Sequence, residues 1–282
     1  MKTKKLLSKD PYFRLLEVAE EQLQNRSKVL YQKLMDDTIK DLTNLFNSKS
    51  NYTRTDYYNS AQYIALINNL NKRLTALGVT QNKDFDKVLK QMALEIKKQV
   101  NLDIGTPMNA SSWNLDPVVK VIWCRDGKDY SQRIWTNTDK VKETLTNGIG
   151  EILVRGADES TLINDLIPLV RNTCGSAYNK ARTLARTELA YVRAQQTLDA
   201  YKEAGIKYYI FQNTVDGETC DECDELVDKV FAVEDAVIGE NFPPIHPNCR
   251  GWTRAVAPSK EDWAKEQMEV QDNVSTIGEQ QD

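Results

Sequence analysis

Two stretches, Asp216-Gly-Glu-Thr-Cys-Asp-Glu-Cys223 and Pro243-Pro-Ile-His-Pro-Asn-Cys-Arg250, decide how this chain is read. The first carries a Cys-x-x-Cys turn, Cys220 and Cys223; the second answers it with His246 and Cys249. Zinc prefers four soft or borderline donors in a tetrahedron, and two tight turns offering two donors each close such a cage without a large core. The expected site is therefore Cys220, Cys223, His246 and Cys249 around a structural zinc ion. Four protein ligands leave no open position for catalysis. Three thiolates and a neutral imidazole leave the site near −1, a charge balanced by the neighbouring Arg250 and Arg254. His246 is also the one histidine in the chain, so a metal-bound imidazole removes the commonest general base. The bland alternative is that these side chains pack without metal.

Short strand candidates flank the two turns: Ile206-Lys-Tyr-Tyr-Ile-Phe211 before the first, with Lys229-Val-Phe231 and Trp252-Thr-Arg-Ala-Val256 pairing around the knuckle. Upstream the periodicity is helical. Leu15, Leu16, Ala19, Leu23, Leu30, Leu34, Ile39, Leu42 and Leu45 mark one helix from Pro11 to about Phe46. A second is expected from about Asp56 to Leu77, closed by Gly78, and a third from about Asn82 to Val100. Asn47–Thr55 has the composition of a linker. Val118–Trp123 and Tyr130–Trp135 around Asp126-Gly127 read as a β-hairpin. Helix resumes near Asn137 and runs to Arg155. A short helix interrupted by Pro168 follows, then a strong one from about Ser176 to Ala204, ended by Gly205. The fold class is thus α+β and predominantly helical. Residues 1–112 form a helical arm or bundle, 113–257 a mixed domain with a small sheet and a zinc-knuckle-like loop, and 258–282 an acidic, Gln-rich mobile tail.

The 282 residues carry a net charge of −4, with 40% apolar and 28% charged residues, a pI near 5.4 and a mean hydropathy of −0.56. No stretch is long and apolar enough for a membrane span, and the basic N-terminus has no apolar core of a signal peptide. Cytosolic synthesis and metal rather than disulfides are expected for the cysteines. Cys124 and Cys174 read as small buried hydrophobes. The acidic balance speaks against a general nucleic-acid coat, and acidic residues around Cys220 repel phosphate. Arg182, Arg186 and Glu188 invite a transfer-enzyme reading, but a structural ion pair of Arg186 with Glu188 is the simpler one. No phosphate-binding loop, dinucleotide fingerprint or His-Glu-x-x-His motif is present.

Together with Ala185-Arg-Thr-Glu188 and Ser131-Gln-Arg-Ile-Trp135, the two opening stretches resemble the phage minor head protein family, the head-morphogenesis family typified by protein F of phage Mu. The resemblance covers roughly residues 113–257. Members often end the second motif Cys-Arg-Cys; here Gly251 follows Arg250, which removes a fifth sulfur and leaves the four-ligand cage. The resemblance implies a low-copy minor capsid protein of the virion. It would be made in the host cytoplasm, join the procapsid at the portal vertex on the inner side of the head, and partner portal, major capsid and scaffold proteins. Some members contact packaged double-stranded DNA. It implies no enzyme and no small-molecule substrate. The alternative is a zinc-containing, treble-clef-like nuclease or DNA-binding protein acting on the phage genome.

Overall fold

The computed structural model describes residues 12–47, 60–105, 116–123, 126–155, 159–213 and 220–278. Its helices are α1 (Phe13–Asn47), α2 (Ala61–Ile104), the short α3 (Asp116–Val119), α4 (Tyr130–Arg155), α5 (Glu159–Thr161) and α6 (Ile167–Glu203). Strand β1 (Tyr208–Gln212), the single turn α7 (Asp221–Asp224), β2 (Val230–Ala232) and β3 (Trp252–Ala255) follow, and α8 (Glu261–Gly278) comes last. The α+β, helix-dominated reading holds. No described helix is long and apolar enough to cross a membrane.

The chain divides into two compact units. One comprises Glu21–Lys87 and Asp129–Ala185. It is a helical bundle in which the helices contribute residues three and four apart to one core. Leu34, Leu42 and Leu45 come from α1, and Leu66, Leu70, Leu74 and Leu77 from α2. Val141, Leu145, Ile149 and Leu153 come from α4, and Val170, Cys174, Ala177 and Ala181 from α6. Cys174 is 2% exposed, the small buried hydrophobe expected; Cys124 lies outside the described residues. Asn137 stitches this bundle by donating from Nδ2 to Tyr31 OH at 2.8 Å and to the Ala177 carbonyl at 3.1 Å.

Three expectations fail in this unit, each for a local reason. Gly78 does not end a helix; α2 continues through it. A Cβ at Gly78 would stand 2.6 Å from the Trp135 ring, so the missing side chain serves close packing rather than a left-handed cap. The expected hairpin is also absent. Residues 130–135, expected as its second strand, are the first turns of α4. Asp129 Oδ1 accepts from the Gln132 N–H at 2.8 Å and Gln132 Oε1 accepts from the Asp129 N–H at 3.0 Å. This reciprocal capping box starts the helix at Tyr130, seven residues before the expected start near Asn137. Pro168, finally, does not interrupt a helix. A π-helical turn, Leu162–Leu166, precedes it, and Pro168 falls in the first turn of α6, where its lack of an N–H does no harm.

The other unit comprises Met1–Glu20, Val88–Lys128 and Arg186–Asp282. Here α6 ends in a Schellman turn: Gly205 has φ +68, Ile206 N–H donates to the Tyr201 carbonyl and Gly205 N–H to that of Lys202. The reversal launches β1, the central strand of an antiparallel sheet ordered β2-β1-β3. The two outer strands pair with β1 and not with each other as the spacing suggested. Alternate residues of β1 face opposite ways. Ile210 packs with Val230, Val256 and Ala264, with Tyr208 and Met268 alongside. Tyr209 meets Phe242 edge-on at 5.0 Å, and Phe242 meets Tyr201 of α6 at 6.5 Å. The tail, expected to hold a short helix at most, forms the eighteen-residue α8. Ala264 is fully buried. The Gln271 amide exchanges two 2.9 Å hydrogen bonds with the backbone of Val230, which satisfies part of the exposed edge of β2.

Candidate metal centre

The sheet sets the two knuckles side by side. Gln212 at the end of β1 pairs with Trp252 at the start of β3, so the loop leaving β1 and the loop entering β3 share one edge. The first knuckle is shaped by Cys220, the N-cap of α7, whose Sγ accepts from the Cys223 N–H at 3.4 Å. The second is shaped by Asn248, in the left-handed region at φ 63, and by a Cys249 N–H that donates to the His246 carbonyl at 3.1 Å.

His246 Nε2 lies 3.0 Å from Cys220 Sγ and 3.1 Å from Cys223 Sγ. The three ligand atoms are within 4.8 Å of one another. Cys249 joins through Cys223, the two sulfurs 3.7 Å apart. The imidazole is oriented for ligation. Its Nδ1 lies 2.9 Å from the Pro247 carbonyl, and a carbonyl only accepts, so Nδ1 carries the proton and Nε2 presents its lone pair to the thiols. Cys223 and Cys249 are buried, Cys220 and His246 partly so.

The donor chemistry fits a zinc ion. With zinc–sulfur bonds of about 2.3 Å at tetrahedral angles, two thiolates stand roughly 3.7 Å apart, the spacing of Cys223 and Cys249. The imidazole nitrogen sits about half an ångström nearer both sulfurs than such a tetrahedron requires. Two of the three thiols, Cys220 and Cys249, lean toward the ionised form that a metal needs. A hydrogen bond from Cys223 outweighs burial and draws Cys249 down to about 5, while the same bond and burial push Cys223 up. Burial raises Cys220, but the Cys223 backbone N–H and the nearby imidazole bring it below the usual thiol range. For His246, burial is overcome by the Pro247 carbonyl and the adjacent cysteines, which raise its affinity for a proton.

Gly251 explains why this chain departs from Cys-Arg-Cys. A Cβ there would stand 2.8 Å from the Phe211 ring and 3.0 Å from Pro243 Cβ; no larger side chain fits. The expected ion pair takes another form. Arg186 donates from Nε and Nη2 to Glu20 Oε1 at 3.0 and 2.7 Å, not to Glu188. Residues two apart on a helix point to different sides. Glu188, 1% exposed, instead accepts from Trp123 Nε1 at 3.4 Å, and Trp123 stacks on Tyr191 with centroids 5.0 Å apart. The exposed carboxylates Asp221, Glu222, Asp224 and Glu225 do form the acidic rim that the sequence implied.

Sequence reasoning missed two contributors from α6. Thr187 Oγ1 accepts from the Asn248 N–H at 3.2 Å, and Arg193 donates from Nη2 to the Gly251 carbonyl. The run Ala185-Arg-Thr-Glu188 was singled out, yet nothing local links it to a turn some sixty residues later.

This combination of helix, sheet and double knuckle lies within one recognised stretch. Residues 139–254 match the family of phage Mu protein F like proteins. The Mu F-like segment takes in α4 from Asp139, all of α6, β1, β2, both knuckles and most of β3. The match is a likeness to that family within this segment. No curated protein and no solved structure matches the chain.

Proposed function

We propose that this chain is a minor capsid protein of a tailed phage. It works as a passive building block at the portal vertex, on the inner side of the head, during procapsid assembly. The observation that carries the reading is the convergence of Cys220, Cys223 and His246 inside the Mu F-like segment. Cys220, Cys223, His246 and Cys249 would hold zinc, which supplies a cross-link between two loops that have little core of their own. The role asked of the metal is rigidity, so that a small three-stranded sheet keeps one surface for portal, major capsid and scaffold proteins. Elemental analysis should find about one zinc ion per chain, and tagged chain should retain portal protein in a pull-down. A stable chain that holds no zinc would remove the metal part of the reading; failure to retain portal protein would remove the vertex.

Contact with packaged double-stranded DNA is supported by a face of α6. From Leu166 to Thr187 there is no acidic residue. Within that stretch Arg171, Asn172, Ser176, Asn179 and Lys180 line an open trough of about 650 Å3. Phosphate attracts such a face, and each phosphate contact adds roughly 0.9 to the slope of log affinity against log salt. Arg171→Ala with Lys180→Ala should therefore lower that slope by about 2. DNA retention unchanged by the double substitution would place the contact elsewhere.

A further inference from the structure

We propose that Thr187 and Arg193 are positioning residues of the knuckle: from one helix they hold the His246–Gly251 turn in the shape that aims the imidazole at two cysteine sulfurs. The inference rests on the metal reading above and names what prepares the site for the ion.

From Thr187 to Ala194 every residue of α6 is buried. Polar side chains on a helix enclosed on all sides need partners within the protein. Thr187 is 4% and Arg193 5% exposed. Each sends a polar side-chain atom to the backbone of the second knuckle. The Thr187 hydroxyl oxygen accepts from the Asn248 N–H at 3.2 Å, at the residue whose positive φ makes the turn. The Arg193 guanidinium donates to the Gly251 carbonyl, three residues on. Between these anchors lies Cys249, whose N–H reaches back to the His246 carbonyl at 3.1 Å and whose Sγ accepts from the Gly251 N–H at 3.4 Å. Fixing Asn248 and Gly251 therefore fixes Cys249 and, through it, the carbonyl of His246. A turn pinned in this way meets the metal already folded. A free one must be ordered when the metal binds, which lowers affinity. Partners just outside a ligand set typically change metal affinity 10–100-fold when removed.

The test uses the full chain and zinc ion, with a chromogenic chelator as competitor, on Thr187→Val, Thr187→Ser and Arg193→Met. Amide hydrogen exchange is followed across residues 246–251. Thr187→Val keeps the volume and removes the acceptor. It should weaken zinc binding about 10-fold or more and speed exchange at Asn248 and Cys249, with the helical circular dichroism retained. Thr187→Ser keeps the oxygen and should hold zinc as the parent does. Because Arg193→Met removes a buried charge and can fail to fold, Thr187→Val carries the decision. A folded Thr187→Val chain with parental zinc affinity overturns the proposal, and so does an equal loss in Thr187→Ser. Should the parent itself take up no zinc, the metal reading falls alone. The exchange rate at Asn248 then decides whether Thr187 holds the turn: quickened in Thr187→Val it stands, unchanged it is overturned.

Discussion

The Sγ atoms of Cys223 and Cys249, 26 residues apart in sequence, stand 3.7 Å apart, within reach of a sulfur hydrogen bond. The hydrogen bond between them draws the Cys249 thiol down to about 5 and, with burial, pushes Cys223 up, which favours the proton on Cys223. Metal takes the proton's place, so binding releases acid. Adding zinc to metal-free chain in weak buffer should acidify the solution, and Cys223→Ser should abolish most of that release along with most of the bound zinc. Amide exchange through residues 220–251 should then accelerate. A serine variant with full zinc content and unchanged protection would show that the cysteines pack without metal.

Two glycines on helices predict opposite outcomes for the same substitution. A Cβ at Gly78 meets the Trp135 ring at 2.6 Å, whereas one at Gly175 meets nothing within 4 Å. Alanine ordinarily favours a helix over glycine by about 1 kcal/mol. Gly175→Ala should gain roughly that amount. Gly78→Ala should lose about 1–3 kcal/mol because a packed ring must move. Urea unfolding of both variants checks the signs.

Arg186 and Glu20 make their ion pair where both can reach water, Arg186 with a 44% exposed side chain. Such pairs contribute about 0.2–1 kcal/mol, and a double-mutant cycle of Arg186→Ala and Glu20→Ala should return a coupling in that range. Glu188, buried against Trp123, should respond differently: Glu188→Ala removes a buried acceptor of the half-buried indole N–H and should cost about 1–3 kcal/mol. A larger effect at Arg186 than at Glu188 would reverse this ranking.

Asp199 gives the pH dependence. Burial raises its pKa, against a hydrogen bond from Gln195 and the nearby Lys97 and Lys202. A carboxyl that holds its proton more tightly in the folded chain contributes stability that is fully present below its unfolded value and is lost as pH rises through its raised folded value. At pH 7 the buried carboxyl therefore detracts from stability. Asp199→Asn should raise the melting temperature at pH 7, and the gain should shrink as pH falls toward the ordinary carboxylate range. A gain that stayed constant with pH would point to packing instead.

The helices of the bundle were legible because Leu34, Leu42, Leu45 and their counterparts repeat at the helical period. So were the strands and the Gly205 stop, which rest on local chemistry. The failures came where one signal has two physical causes. Gly78 reads equally as a left-handed cap or as room for a neighbour, and only Trp135, far along the chain, selects the second. Val118–Trp123 alternates like a strand and Asp126-Gly127 reads as a turn, but the Asp129–Gln132 capping box outcompetes both. In the candidate site, Cys220, Cys223 and His246 were readable from spacing and converge. Arg186 was paired with the wrong carboxylate because Glu20 lies 166 positions away. Thr187 and Arg193 were not assigned to the knuckle, since burial, not pattern, makes them bond to it.

With a single imidazole among 282 residues, the chain carries its own reporter. One ring contributes all histidine signals to a heteronuclear magnetic resonance spectrum, so no assignment is needed to find it. Its Nε2 shift should move on loading while Nδ1 stays protonated against Pro247, and the fraction of metallated molecules can be read even inside a large assembly labelled only at histidine.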